Sequence, residues 1–383
     1  MLRVGMIGCG NIVRHGHRPP LIALEDVQLV ALADVTEGRR KIGQEWFSLP
    51  DSALYDHHSG LLARDDIDAV IVTVPQQFRY EIVMDAIRAG KHVLSEKPIA
   101  STPEVADKLI QAAEDAGLVF GMVHNYIYLP EYYRIKELVD IGTIGDLRVL
   151  TMHYLGTIDN PGALEYKPDW RHTMDAGGGV LMDMIHAVYL SEWLFDAPAQ
   201  QVMAFADAPE YAQREPLVED LILMQIAFPT GYAAIHMGWG QGVGGVDASG
   251  SEGHLRMRYK KYQTSGFNQP EELYSVRDWV RTDYAFDNLP DPMETTGQSF
   301  TGIWADFRDA IQTGRQSVMP ASSGKRALEI ALGGYLSSVT GRVVTLPLPV
   351  DHPVYQRGIA GMRDVDVWEY SRTKTAGLFG LRE

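Results

Sequence analysis

Short, continuous apolar runs alternate with amphipathic stretches through the first third of the chain. Residues 2–7 (LRVGMI), 27–33 (VQLVALA) and 69–74 are too apolar to keep a solvent face, and each reads as a buried strand. Further strands are expected at 92–95 and 118–123. Between them, 80–89 sets Ile82, Val83, Ala86 and Ile87 on one helical face and stops at Gly90. Thr102 and Pro103 suit the cap and first position of another helix, which Gly117 ends. Buried strands alternating with helices predict a parallel sheet covered on both faces. The handedness of the crossovers makes it a doubly wound, Rossmann-like domain over residues 1–123.

The pattern then changes. A helix is expected at 131–141, and a strand at 148–154. The Gly-rich stretch 177–179 opens a helix over 180–195. Strand-like runs follow at 201–206, 220–228, 231–239 and 254–260; helices at 298–313 and 322–339 precede a last strand at 342–347. Strands joined by short turns predict an α+β domain over 124–350, with a large, mostly antiparallel, open-faced sheet. Phe300, Trp304, Phe307 and Ile311 keep a three-to-four spacing and read as a core stripe. Residues 351–383 read as a polar, irregular tail.

Composition narrows the classes. The 383 residues suit two domains. Thirty-four basic against fifty acidic residues give a net charge of −16, and no basic run offers a surface to nucleic acid or anionic lipid. The single cysteine, Cys9, excludes an internal disulfide and a cysteine-rich zinc site. Neither a signal peptide nor an apolar span of membrane length is read, so a cytoplasmic location is expected.

The first strand ends in Gly8-Cys9-Gly10-Asn11-Ile12-Val13. Gly8 permits a tight turn, Gly10 lets a pyrophosphate approach the backbone, and the following helix supplies N–H groups at Asn11 and Ile12. Val13 stands where the fingerprint has Gly or Ala. Asp34 closes the second strand, where a carboxylate accepts ribose hydroxyls or, alternatively, caps the next helix. Asp34 favours NAD; Arg39 and Arg40 leave NADP open.

Residues 89–100, AGKHVLSEKPIA, resemble the AGKHVLxEKPxA signature of the glucose–fructose oxidoreductase, inositol dehydrogenase and rhizopine-catabolism (Gfo/Idh/MocA) family. The resemblance spans about residues 2–347 and includes GCGNI, TVP at 73–75, Trp170-Arg171, and GGGVLMD at 177–183 followed by His186. It implies an NAD(P)-dependent oxidoreductase moving hydride between nicotinamide and a secondary alcohol of a sugar, glycoside or cyclitol. It further implies that Glu96 and Lys97 shape the nicotinamide site, that Lys97 touches the reacting hydroxyl, and that Thr73, Pro75 and Gln76 lie under the nicotinamide ribose. Gln76 and Arg79 replace the family's usual Asn and His there. Trp170 and Arg171 are implied to reach cofactor or substrate.

Asp183 and His186, three apart on the expected helix, share a face and can address one hydroxyl as an acid–base pair; the family spacing is more often four. A metal reading stands beside this one, with His124 or His236 as third ligand, but one i,i+3 pair with no third ligand fixed by the sequence does not define a metal site. His124 and Tyr126 end the last strand of the first domain and are expected near substrate, as is His236 on a later strand. His15 and His17 read as structural. Two rivals stand beside the dehydrogenase: an NAD-dependent lyase or glycosidase using transient oxidation, and a non-catalytic NAD-responsive protein. The resemblance also implies homodimers or homotetramers joined through the open sheet.

Overall fold

The computed structural model describes residues 1–157, 179–208, 218–239, 242, 244–259, 270–286 and 292–369. The chain divides into two compact units.

The first unit comprises Met1–Ser101, Val105–Leu129 and Met293–Lys325. Its sheet is built from β1 (Leu2–Ile7), β2 (Val27–Ala33), β3 (Leu54–Tyr55), β4 (Ala69–Val72), β5 (His92–Ser95) and β6 (Phe120–Met122), all parallel, in the order β3-β2-β1-β4-β5-β6. The order reverses beside β1, which is the position where such sheets bind ligands beyond their carboxyl ends. Gly90 and Gly117 take left-handed φ values and end helices Arg79–Arg88 and Pro103–Asp115 as the sequence predicts. The helix after the glycine turn is not a plain α-helix. Pro19 and Pro20 lack N–H groups and open α-helix Arg18–Ala23, and a π turn over Val13–His17 precedes it.

The boundary expected at residue 123 gives way to a more intricate path. Helix Pro292–Thr313, expected in the second domain, belongs to the first unit. The reason is the stripe already visible in the sequence: Phe300, Trp304 and Phe307 are buried with Val4, Val13, Leu21 and Leu94 in one core, and Ile311 packs against it.

The second unit carries a nine-stranded sheet: β7 (Leu147–Thr157), β8 (Gln201–Asp207), β9 (Leu221–Phe228), β10 (Gly231–Trp239), β11 (Gly244–Gly250), β12 (Gly253–Tyr259), β13 (Pro270–Arg277), β14 (Val280–Asp283) and β15 (Val344–Thr345). Its order is β14-β13-β12-β11-β7-β10-β9-β8-β15, antiparallel throughout except for β7 against β10. Alternation along β8, β9 and β10 buries one face and exposes the other. The expected tail is in part structured. Pro353–Arg357 is helical, Val354, Tyr355 and Met362 are buried, and the Trp368 amide donates to the Val339 carbonyl at 2.9 Å.

Candidate active site

In the first unit, the turn after β1 is held open by backbone geometry. Gly8 has φ +94°, and a Cβ there would lie 2.9 Å from Thr73 Oγ1 and 3.0 Å from Thr73 O. Thr73 Oγ1 donates to the Gly8 carbonyl at 2.8 Å, locking the turn to the end of β4. Gly10 differs: a Cβ would meet nothing within 4 Å. That is open space against the backbone where the fingerprint needs a pyrophosphate to approach, and Asn11 and Ile12 beside it are exposed. Val13 is fully buried, so the departure from Gly is absorbed by the core.

Asp34 joins β2 to this turn. Its Oδ2 accepts from the Cys9 amide and its Oδ1 from the Thr36 amide, each at 2.8 Å. The helix Glu37–Phe47 that follows has Thr36 as its N-cap with no side-chain cap bond, so the capping role gives way to a local turn bond, and a carboxylate with two bonds keeps further lone pairs. Arg40 turns back to donate to the Asp34 carbonyl at 2.6 Å, whereas Arg39 is exposed. Burial first, and then the Asp34 charge, push the Cys9 thiol up to about 11, which leaves it inert at neutral pH. These groups fit a dinucleotide.

The EKP turn follows β5. Glu96 is buried; its Oε1 lies 3.1 Å from His17 Nε2, and its Oε2 accepts from the Lys97 amide at 3.2 Å. The Trp304 indole donates to His17 Nδ1 at 3.1 Å. An indole can only donate, so the ring proton of His17 sits on Nε2 and points at Glu96. Burial works to raise Glu96, but the His17 hydrogen bond and the charges of Lys97 and Arg79 outweigh it and hold the carboxyl below its usual range. Lys97 is half-buried. Arg79, fully desolvated and pushed down to about 10 by burial, grips the backbone carbonyls of Val74, Lys97 and Pro98. Gln76 is buried beside it in sequence, with no hydrogen-bond partner for Oε1.

His124 is 1% exposed, with Nδ1 3.4 Å from Ser323 Oγ. Neighbouring Asn125 donates to Ser299 at 2.9 Å, and Tyr126 is buried.

In the second unit the single helix expected over 180–195 is two. Val180–Asp183 ends at a turn through Met184, and His186–Phe195 begins anew. No Gly or Pro marks the break. The amides of Val180 and Leu181 bond to Glu219, while nearly all of the second helix is buried, so tertiary contacts at both ends override local propensity. Asp183 and His186 therefore sit at a junction between helices. The i,i+3 argument fails for them, because no continuous helix runs between the two. His186 Nδ1 is 2.6 Å from the Tyr189 hydroxyl. Tyr189, which stands i+3 from His186 within the second helix, was open to the same spacing rule from the sequence.

His236 lies on β10. Ile235 and Met237 are buried and alternate with it, so His236 lies on the other, open face of the sheet. There its Nδ1 meets that of His153 on β7 at 3.3 Å. Trp170 and Arg171 lie outside the described residues. Among the described residues no group of three or more His, Cys, Asp or Glu side chains could hold a metal ion, and no helix is long and apolar enough to cross a membrane.

Two family models match the chain. "Oxidoreductase family, NAD-binding Rossmann fold" covers residues 2–124, and "GFO/IDH/MocA C-terminal domain" covers residues 132–256. Among curated proteins, a dTDP-3,4-didehydro-2,6-dideoxy-alpha-D-glucose 3-reductase of Actinomadura kijaniata is 33% identical over 187 residues, which is 48% of this chain and 52% of the relative. The chain thus spans about half the length of the first curated relatives it matches. The scyllo-inositol 2-dehydrogenase (NADP(+)) of Bacillus subtilis is 24% identical over 356 residues, 90% of this chain and 96% of the relative. Among solved structures, an aldose-aldose oxidoreductase of Caulobacter crescentus complexed with glycerol superposes with a TM-score of 0.78 at 22% identity, covering 90% of this chain and 99% of that one.

Proposed function

We propose, from the premise that the chain belongs to the Gfo/Idh/MocA oxidoreductase family, that it is an NAD(P)-dependent dehydrogenase acting on a secondary alcohol of a sugar, glycoside or cyclitol. The observation that carries this reading is the glycine turn joined to Thr73 and Asp34, with the anchored EKP turn on the same sheet. The sugar and cyclitol substrates in the names of its relatives supply the substrate class.

When bound, the nicotinamide supplies hydride acceptance and return at its C4. The chain does the rest. Gly10 leaves room for the pyrophosphate, and Asp34 accepts ribose hydroxyls, favouring NAD. Thr73, Pro75 and Gln76 support the nicotinamide ribose. Lys97, beside a carboxylate held ionised, polarises the reacting oxygen with its ammonium. Asp183 and His186 take the hydroxyl proton, and the Tyr189 hydroxyl, 2.6 Å from His186 Nδ1, orients the imidazole. Lys97, Asp183 and His186 are thus the proposed catalytic residues.

Replacing Lys97 with Met tests the assignment. Dinucleotide affinity is expected to hold within about twofold and turnover to fall by about 10²–10⁴; near-normal turnover defeats it. A panel of sugars and cyclitols, followed through reduced-nicotinamide absorbance with NAD and with NADP, tests the function. Reduction of neither cofactor by any member would overturn it.

The exposed face of the second sheet carries Met203, Phe205, Leu223 and Tyr232. Such a patch supports self-association into a dimer or tetramer. A monomer by light scattering at micromolar concentration contradicts that reading.

A further inference from the structure

The helix that ends on Asp183 is only four residues long, and no side chain of its own segment caps it. A helix so short holds its shape only if its first amides find acceptors elsewhere. They do. The Val180 amide donates to the Glu219 carbonyl at 3.1 Å and the Leu181 amide to Glu219 Oε1 at 3.0 Å, while the Asp183 amide closes the helix's own turn on the Gly179 carbonyl at 3.0 Å. The Met182 amide bonds to the Tyr335 hydroxyl, which itself donates to Glu219 Oε1 at 2.5 Å. Glu219 and Tyr335 are fully buried. The second carboxyl oxygen of Glu219 lies 2.0 Å from where a Cβ on Gly179 would stand, and Gly179 has φ +107°. Only glycine permits that approach.

We propose that Glu219 is the positioning residue for Asp183: its carboxyl group, with the Tyr335 hydroxyl, clamps the Gly179–Asp183 turn and fixes where the Asp183 carboxylate is presented. The inference rests on the reading of Asp183 as catalytic. Glu219 stands just ahead of β9, nearly forty residues further along, so no local motif signals the link. What the clamp requires is an acceptor oxygen on the Leu181 amide and the Tyr335 hydroxyl. A negative charge is not required, since burial pushes Glu219 up to about 8 and leaves it largely protonated at neutral pH.

Glu219→Ala, Glu219→Gln and Tyr335→Phe test this in the full chain. In Glu219→Ala, hydrogen exchange at the Leu181 and Met182 amides is expected to accelerate about tenfold or more, with kcat falling by a similar factor and dinucleotide affinity unchanged. Glu219→Gln keeps the acceptor oxygen and is expected to restore both within a few-fold. Should Glu219→Ala fail to fold, Tyr335→Phe carries the test, with exchange rising at Met182 and a smaller loss of kcat. Unchanged protection of both amides, or equal losses in Ala and Gln variants of normal melting temperature, overturns the clamp. Normal turnover in Asp183→Asn instead removes the catalytic reading of Asp183, and the exchange result still decides whether Glu219 holds the turn.

Discussion

The Arg79 guanidinium donates to the Lys97 carbonyl at 3.1 Å while its Nε donates to the Val74 carbonyl at 2.9 Å. With its further bond to the Pro98 carbonyl, one side chain thereby ties the loop after β4 to the turn that presents Lys97. The planar fork of five donors suits this task, and a lysine point charge does not. Where the resemblance leads one to expect a histidine facing the cofactor, this chain spends the position on anchoring backbone.

Arg79→Met leaves three carbonyl oxygens in this buried turn without their donor. At about 1 kcal/mol or more apiece, the expected loss of stability is about 3 kcal/mol. Turnover is expected to fall at least about tenfold as the Lys97 turn loosens. Arg79→Lys should recover only part of either loss. Denaturant unfolding and steady-state kinetics on the two variants check this; equal behaviour of Lys and wild type would show that the fork is dispensable.

His17 hands the indole hydrogen bond of Trp304 on to Glu96. His17→Leu deprives the buried Glu96 carboxylate of its side-chain donor, leaving the Lys97 amide, and is expected to cost about 1–3 kcal/mol. His17→Gln, whose amide can still donate to Glu96, should lose less. The ordering Leu below Gln below wild type in melting temperature is the check.

Much of this was open to reading along the chain. The parallel sheet, the glycine turn and the Phe300–Trp304–Phe307 stripe follow from periodicity, because burial imposes repeats of 2 or 3.6. What the stripe packs against is not periodic information. Helix Pro292–Thr313 joins the first unit through contacts with residues nearly three hundred positions earlier, and Trp304 with His17 is the plainest case. The break between Asp183 and His186 was equally hidden, since the contacts that hold the flanking helices come from far along the chain, as at Glu219. Alternation along β10 sets His236 opposite Ile235 and Met237, but its pairing with His153 on β7 depends on strand order, which periodicity does not carry.

Asp34 carries two loads, and its variants should separate them. Asp34→Asn keeps one acceptor oxygen for the Cys9 or Thr36 amide but loses the charge that repels a 2′-phosphate. Its preference for NAD over NADP is expected to shrink about tenfold or more, with Arg39 and Arg40 close in sequence to receive the phosphate. Asp34→Gly removes both acceptors and should also lower the melting temperature. Titration of each variant with both dinucleotides checks the ratio. An unchanged ratio in Asp34→Asn would remove the carboxylate from cofactor choice.

Glu131 is buried in the second unit, where Tyr259 donates to its Oε1 at 3.0 Å and its Oε2 has no partner. Burial pushes its pKa up to about 7, as it pushes Glu219 to about 8. An acid whose folded pKa is raised holds its proton in the native state after the unfolded chain has released it. Stability is then full below the ordinary carboxyl pKa and falls as pH rises towards about 7 to 8, by about 1.4 kcal/mol per pH unit and per group. Glu131→Gln keeps an acceptor for Tyr259 and has no proton to lose. It is expected to melt near wild type at pH 4.5 and clearly above it at pH 8.5. The pair of melting curves checks the sign: a variant less stable than wild type at the higher pH would mean that Glu131 is ionised and stabilising in the folded chain.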